Sequence, residues 1–426
     1  MKIKIIDSIM GSGKTSAAIN YMNKDYQKKF IYITPYLDEV DRVISACNEE
    51  RDFGLCSYMD DKGNCVTEES IINGFYQPDL SKGSKKRTLK SLIKKEKCIA
   101  TTHSMFNQFD DEIMELIASK GYELILDEAA NVVSPYGELK KSDKDILFNN
   151  FIRVGDKGIV EWIDNDYDGK FNEVKHLCNL GSLCCYGEKT LMLWLMPIKA
   201  FACFDKVTIL TYMFEGQLQK YYYDLYDVDY DYGIACKDED GNYIFRDIDV
   251  PPETKLDKSL FDILETEKMN RIGVGERFLS KGWYERAKKN GNISCLKVNC
   301  ENYINNITKS KSDEVAWTTF KDYKNDTKGK GYTKGFIPSN MRASNAYRSK
   351  DVGMYLVNKY VNPIIVNFFG LYDVHINQDA YALSEMLQWI WRLAIRDGKP
   401  IKLYIPSKRM RTLLVNWLET GGISSK

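Results

Sequence analysis

The sequence predicts an α/β protein with two tandem domains, each built on a parallel sheet. Short apolar runs alternate with helix-like segments in the first half of the chain, which is typical of a doubly wound parallel sheet. Polar clusters directly follow these runs, at the strand ends where such sheets bind ligands. The chain has 426 residues, and single cores stop growing at about 250–300 residues, so two cores are expected.

Residues 1–215 are expected to form the first domain. The second strand ends at Pro35, because proline cannot donate a ladder hydrogen bond. Residues 216–257, rich in Tyr and Asp, are expected to form a linker or insertion, and residues 258–426 the second domain. We expect strands at 3–6, 30–33, 98–102, 123–126, 206–211, 316–320, 364–369 and 401–405, and helices at 16–23 and 37–48.

A glycine-bearing loop follows the first strand and opens the first helix. Backbone N–H groups of such a loop and the positive end of the helix bind phosphates. Lys14 is expected to reach the β- and γ-phosphates and the Thr15 hydroxyl to hold Mg²⁺. Ser8 occupies the first position of the phosphate-loop pattern G-x4-GK-[ST], where glycine is usual. The predicted phosphate cradle consists of Ser8, Met10, Gly11, Ser12, Gly13, Lys14, Thr15 and Ser16, and it predicts binding of ATP or GTP.

Two acidic residues follow the fourth strand at the same predicted sheet edge. Asp127 is expected to hold Mg²⁺ through water, and Glu128 to polarise the water that attacks the γ-phosphate. An acidic strand end alone is common and is usually solvated. Together with the upstream cradle, the pair predicts a site of phosphate hydrolysis.

These residues resemble the motifs of the superfamily 2 helicases, the DExD/H-box-like ATPases, and the chain is similar to the compact helicases of phage replication modules. The resemblance implies two RecA-like (P-loop NTPase) domains with parallel sheets and an interdomain ATP cleft, with ATP and Mg²⁺ as cofactors. The segments that carry it are Lys14-Thr15, Tyr32-Ile33-Thr34-Pro35-Tyr36, Ala100-Thr101-Thr102-His103, Asp127-Glu128-Ala129-Ala130, Leu210-Thr211-Tyr212, residues 316–320, residues 338–345 and Gln388–Arg396.

The last of these segments is similar to the family's arginine-finger motif. The resemblance implies that Arg392 or Arg396 stabilises charge on the transferring phosphoryl group and that Gln388 contacts the nucleotide. In the family pattern the two arginines are three residues apart, whereas here they are four apart. On a helix all three side chains would still share one face. The alternative is a core-packed helix with solvated arginines.

Hydroxyl and amide side chains at the strand ends are candidate contacts to a nucleic-acid backbone. The resemblance implies single-stranded or forked DNA, rather than RNA, as the partner, and replication proteins as further partners. The basic run 82–97 is either a solvated helix face or a DNA contact. The candidate nucleic-acid contacts are Thr34, Thr102, Thr318, Thr319 and Asn340.

The amino-acid composition excludes few further classes of protein. Basic and acidic residues number 60 each, so no global charge marks a polyanion-binding protein. Scattered cysteines without a repeated C-x2-C spacing favour reduced thiols over a zinc site. The chain has no apolar run of 18 residues, and a cytoplasmic protein, in the host cytoplasm if viral, is expected. The sequence predicts an ATP-dependent helicase or translocase in DNA replication. A P-loop small-molecule kinase and a slow ATP-gated loader or scaffold remain alternatives.

Overall fold

The computed structural model describes residues 1–59, 63–137, 139–187, 191–251, 253–254, 256–339 and 346–422. The strands are β1 (Lys2–Asp7), β2 (Lys29–Thr34), β3 (Phe53–Met59), β4 (Cys65–Ile71), β5 (Phe75–Tyr76), β6 (Cys98–Thr102), β7 (Tyr122–Asp127), β8 (Val133–Tyr136), β9 (Ile152–Val154), β10 (Val160–Trp162), β11 (Leu183–Tyr186), β12 (Leu191–Leu195), β13 (Lys206–Thr211), β14 (Asp231–Lys237), β15 (Tyr243–Ile248), β16 (Phe261–Ile263), β17 (Val315–Thr318), β18 (Val352–Tyr355) and β19 (Ile401–Tyr404). The α-helices are α1 (Lys14–Asn23), α2 (Leu37–Asn48), α3 (Lys85–Lys94), α4 (His103–Phe106), α5 (Asp111–Lys120), α6 (Lys141–Asn150), α7 (Asn172–Asn179), α8 (Lys199–Ala202), α9 (Leu218–Leu225), α10 (Glu267–Asn270), α11 (Lys281–Asn290), α12 (Asn292–Asn302), α13 (Lys324–Thr327), α14 (Pro363–Gly370), α15 (Gln378–Ile390) and α16 (Lys408–Thr420).

The chain divides into two compact units, each with its own parallel sheet, which confirms the predicted α/β class. None of the helices in the described part of the chain is long and apolar enough to cross a bilayer. The first unit comprises Met1–Ser8, Ser12–Pro251 and Asn362–Ile376, and the second comprises Ile9–Gly11, Pro252–Val361 and Asn377–Lys426.

The first unit is built on an eight-stranded sheet in the order β15-β14-β1-β13-β7-β2-β6-β5. Its strands are parallel except for β15, which is antiparallel to β14. The five strands predicted for the first domain are confirmed, and α2 has the predicted bounds. Because β1, β13 and β7 are adjacent and parallel, the loops that follow them meet at one sheet edge.

Residues 216–251, which are part of the predicted linker or insertion at 216–257, lie in the first unit. β14 pairs with β1 as a strand of the main sheet, with Ile5 opposite Tyr232. In α9, Tyr222 and Tyr223 are fully buried, and the Tyr222 hydroxyl donates a hydrogen bond to the Met196 carbonyl at 2.6 Å. The pairing of β14 and the burial of these aromatic rings therefore fix this segment to the first unit.

An inserted module (residues 133–195) separates β7 from β13 in the chain. It contains the antiparallel sheet β11-β12-β8 and the hairpin β9–β10. Phe151 stacks on Trp162 with ring centroids 5.4 Å apart, and Tyr167 lies 4.7 Å from the same phenylalanine. This aromatic cluster gives the module a core separate from that of the main sheet.

The second unit contains a four-stranded sheet in the order β16-β19-β18-β17, with every pair parallel. The strands predicted at 316–320 and 401–405 are confirmed as β17 and β19. The strand predicted at 364–369 in the second domain is wrong, because these residues form α14, which belongs to the first unit. The Asn362 side chain caps this helix by accepting from the Ile364 N–H at 2.9 Å, and Pro363 occupies its first turn, where a missing N–H costs nothing.

Candidate nucleotide-binding site

The loop between β1 and α1 has the backbone of a phosphate cradle. Gly11 and Gly13 have φ values of 87° and 88°, in the left-handed region that favours glycine. A Cβ on Gly13 would lie 2.1 Å from Cε1 of Tyr243, so a larger residue does not fit there. Among the described residues no side chain caps α1, and the first turn of this helix has no acidic residue. The positive end of this helix is therefore available to an anion.

Ser8 has a structural role that explains its departure from the glycine pattern. Its backbone N–H donates to the Thr211 carbonyl at 3.0 Å. Its hydroxyl accepts a hydrogen bond from the backbone N–H of Ala235, in β14, at 2.9 Å. Glycine could not make the second bond. The Lys14 ammonium donates to the Ser8 carbonyl, which positions the lysine over the loop.

The residues of the loop fit a bound phosphate chain. The Ser12 hydroxyl is buried and has no hydrogen-bond partner among the described residues. An orphaned buried hydroxyl is costly in a protein, and a phosphate oxygen would satisfy it. Thr15 and Ser16 are half-buried at the start of α1. Of the other predicted cradle residues, Met10 is half-buried and Gly11 exposed, and both are counted with the second unit.

The two acidic residues are held in distinct ways at the end of β7. The Tyr32 hydroxyl donates to Asp127 Oδ2 at 2.8 Å. Burial, together with the negative charge of Glu128, raises the pKa of Asp127 to about 7. Glu128 has a φ of 70°, a strained conformation for a residue with a side chain and one that is concentrated at functional sites.

β13, the strand between β1 and β7, holds both loops. The Glu128 N–H donates to the Leu210 carbonyl at 2.8 Å, and the next carbonyl along β13 is the one that accepts from Ser8. The Asp7 carboxylate in turn accepts from the N–H groups of Met213 and Phe214, both at 2.8 Å. The cradle and the acidic turn are therefore fixed to neighbouring residues of one strand.

Two of the predicted nucleic-acid contacts lie side by side at the same sheet edge. Thr34 and Thr102 are register partners at the ends of β2 and β6. Thr34 is fully buried, and its hydroxyl has no hydrogen-bond partner among the described residues. Thr102 is half-buried and precedes α4. His103 follows it, and its Nε2 lies 3.0 Å from the Asp127 carbonyl oxygen.

The remaining predicted site residues lie in the second unit. Thr318 and Thr319 are buried at the end of β17, and Asn340 lies outside the described residues. Arg392 is only 3% exposed. Burial raises the pKa of Tyr355, and the positive charge of Arg392 opposes this rise. Gln388 and Arg396 are half-buried.

The prediction that Gln388, Arg392 and Arg396 share one face of a helix is wrong. α15 ends at Ile390, and Arg396 lies in a separate 3-10 turn, Ala394–Asp397. Leu393 between them is extended, with a ψ of −173°. The Ala394 N–H donates to the Lys350 carbonyl at 2.9 Å, so this segment bonds to the residues just before β18 instead of continuing the helix.

Sequence reasoning missed two residues of this site. The motif that contains Tyr32 predicts no role for its side chain, although a tyrosine in an otherwise apolar buried strand needs a hydroxyl partner. Tyr243 lies 230 positions after Gly13 in the sequence, and no local pattern links it to the loop. Its backbone carbonyl accepts from the Asn20 side chain of α1 at 3.0 Å.

Two family models match the chain. Residues 255–418 match the YonV C-terminal Rossmann-like domain, and residues 133–194 match the YonV middle domain. The chain is 39% identical over 437 residues to the SPbeta prophage-derived uncharacterized protein YonV of Bacillus subtilis (strain 168), an alignment that covers 98% of this chain and 99% of that protein.

Solved structures resemble the chain more weakly. S. tokodaii Xpd4 is 12% identical, with a TM-score of 0.47 and coverage of 100% of this chain and 94% of that one. A structure titled XPD_APO is 10% identical, with a TM-score of 0.46 and coverage of 97% and 95%. Likenesses of this strength carry over no activity.

Proposed function

This chain belongs to the YonV family, and we propose that it hydrolyses ATP to move along, or unwind, a nucleic acid. The proposed substrate strand is single-stranded or forked DNA. The geometry that supports ATP hydrolysis lies in the first unit, and two of the predicted strand contacts, Thr34 and Thr102, lie at the same sheet edge. A role in DNA replication, with replication proteins as partners, belongs to the same proposal.

The single observation that carries the proposal is that β13 fixes the cradle and the acidic turn together. Ser8 and Glu128 bond to adjacent carbonyls of this strand, so groups that bind phosphate and a carboxylate that can orient water have a fixed spacing. Electrostatic catalysis depends on such preorganised groups. A glycine-rich loop that bound no ligand would not need to be attached to the same strand as the acidic turn.

The residues have the following proposed roles. The loop N–H groups, the Ser12 hydroxyl and Lys14 bind the phosphates. Glu128 accepts a proton from the attacking water. Thr15 and Asp127 would hold Mg²⁺, which when bound neutralises charge on the β- and γ-phosphate oxygens. Because the pKa of Asp127 is raised to about 7, a cation that binds this carboxylate near neutral pH competes with a proton.

In the second unit, Arg396 or Arg392 is the proposed arginine finger, with Gln388 as a nucleotide contact. Arg396 is the better candidate because it is half-buried, whereas Arg392 is nearly fully buried within its own unit. A guanidinium that acts on a phosphate must leave its own core. The hydroxyls of Thr34, Thr102, Thr318 and Thr319, with Asn340, are the proposed contacts to the strand backbone.

ATP turnover with and without a nucleic-acid strand tests this function. We expect purified protein to release phosphate from ATP in the presence of Mg²⁺, and (dT)30 to increase the rate, with (rU)30 as the comparison. Lys14→Ala should abolish turnover, and Lys24→Ala, an exposed lysine just after α1, is the matched control. Transfer of phosphate to a nucleoside would contradict the proposal in favour of a kinase. Nucleotide binding without turnover would contradict it in favour of a scaffold.

A further inference from the structure

A cavity of about 190 Å³ lies in the first unit, between the inserted module and the segment that follows β6. Trp194 of β12 and His176 of α7 line it from the module. Phe106, Asn107 and Gln108 line it from the end of α4. α4 directly follows Thr102, so one short helix separates these lining residues from a proposed strand contact in the chain.

Trp194 presents a partly open indole to this cavity. Its neighbours Leu193 and Leu195 are fully buried, whereas Trp194 is half-buried. Within the described part of the chain, its ring contacts no other aromatic ring and its Nε1 donates no hydrogen bond. On the apolar side of the cavity, Phe106 packs edge-on to Phe109 with ring centroids 5.1 Å apart. A flat aromatic ligand can stack on such an indole.

The rim of the cavity carries groups that can recognise the edge of a base. Asn107, Gln108 and His176 are exposed, and their amide and imidazole groups both donate and accept hydrogen bonds. The Gln108 side chain is anchored, since its Nε2 donates to the Ser104 carbonyl at 3.0 Å. The carboxylate of Glu173 also lines the cavity and can accept from an amino group.

Cations surround one side of the same cavity. Lys86 of α3 lines it and is paired with Asp110 at 2.8 Å. Lys82, Lys85 and Arg87, beside it in sequence, are exposed. None of these three has an ion-pair partner among the residues that the structure describes. This is the first half of the basic run at 82–97, and unpaired cations next to an aromatic cavity match a phosphate chain that carries bases.

We propose that this cavity takes one unstacked base of a single-stranded nucleic acid. The base stacks on Trp194, Gln108 contacts its edge, and the start of α3 binds the neighbouring phosphates. The inference rests on the proposed function, because the strand is the one along which the ATPase would move. It assigns to the inserted module a part in holding that strand.

The test compares a strand that has bases with one that has none. Fluorescence anisotropy is measured with labelled (dT)20 and with an all-abasic strand of equal length. We expect the wild type to prefer (dT)20 by about 5- to 150-fold, as stacking of one base predicts. Trp194→Ala should remove most of this preference, Trp194→Phe should retain much of it, and Gln108→Ala should reduce it.

Ile163→Ala is the matched control, because Ile163 lies in the same module, is exposed and does not line the cavity. It should leave the preference for (dT)20 unchanged. The inference would be overturned if Trp194→Ala bound each of the two strands with the same affinity as the wild type. It would also be overturned if the wild type bound both strands equally or bound neither. Binding of a fluorescent ATP analogue by each variant shows that the unit is folded.

The failure of this inference and of the proposed function can be told apart. Strand-stimulated ATP turnover combined with an undiminished base preference in Trp194→Ala would refute the base pocket alone. A base preference that depends on Trp194, in a protein without ATP turnover, would refute the proposed function and support the pocket.

Discussion

The hydrogen bond between Tyr32 and Asp127 offers a sharp test of the proposed magnesium site. Tyr32 is fully buried in β2, and its hydroxyl lies 2.8 Å from Asp127 Oδ2. Burial raises the pKa of Asp127, and this bond opposes the rise by favouring the carboxylate. Tyr32→Phe removes one oxygen and keeps the ring. Asp127 then holds its proton more strongly and binds a cation less well.

The size of the effect follows from the kind of bond. A hydrogen bond to a charged group contributes about 1.5–3 kcal/mol, and about 1.4 kcal/mol corresponds to a factor of ten. We therefore expect the Mg²⁺ concentration for half-maximal ATP turnover to rise about 10- to 150-fold in Tyr32→Phe. The assay is phosphate release at fixed ATP over a range of Mg²⁺, and turnover should recover at saturating Mg²⁺.

Tyr122→Phe is the control for loss of a buried hydroxyl. Tyr122 lies in the neighbouring strand β7, is also fully buried, and donates to the Lys97 carbonyl at 2.9 Å. The Tyr122→Phe substitution should lower the thermal midpoint much as Tyr32→Phe does, but should not change the dependence of ATP turnover on Mg²⁺ concentration. The same Mg²⁺ dependence in wild type and Tyr32→Phe would refute the reasoning, and so would an equal shift in both variants.

Three further predictions concern the other groups of the site. Glu128→Gln should lower ATP turnover by about 10²–10⁴-fold and retain nucleotide binding, measured by fluorescence titration; turnover near that of the wild type would exclude Glu128 as the base. Arg396→Ala should slow hydrolysis by about 10³–10⁵-fold with nucleotide affinity nearly intact, and unchanged single-turnover rates would remove it from the site. Ser8→Ala should destabilise the first unit by about 1–3 kcal/mol, because the Ala235 N–H loses its acceptor; a thermal midpoint equal to that of the wild type would contradict this.

The parts of the site that sequence could predict are those whose information is local. Residues 8–15 carry glycines at the positions that adopt positive φ, and Asp127 directly follows an apolar strand. Each pattern fits within a few residues, so no knowledge of sheet order is needed. The position of β13 between β1 and β7 is different, because long-range pairing decides it and no single segment encodes it.

The two wrong predictions have different physical causes. Residues 364–369 are a short apolar run, which periodicity cannot assign to a strand or a buried helix. The signals that decide it, Asn362 as a cap and Pro363 in the first turn, stand just before the run. At 388–396 the apolar spacing is helical throughout, but a tertiary hydrogen bond from Ala394 to Lys350 ends the helix early. Competition from tertiary contacts cannot be read from spacing.

The replacement of glycine by serine at position 8 shows how this chain supports its cradle. In a loop held only by its own backbone, a serine at position 8 would only make the match to the phosphate-loop pattern weaker. Here the Ser8 hydroxyl bonds to β14 on one side and the Ser8 N–H to β13 on the other, so the base of the loop bridges both neighbours of β1. The adjacent carboxylate of Asp7 holds the segment after β13. A shift of β13 would therefore displace the cradle and the acidic turn together, because both loops bond to consecutive carbonyls of that strand. The spacing between phosphate-binding and water-orienting groups is thus set by the sheet itself, which is why we expect substitutions at Ser8 to act first on stability and only then on turnover.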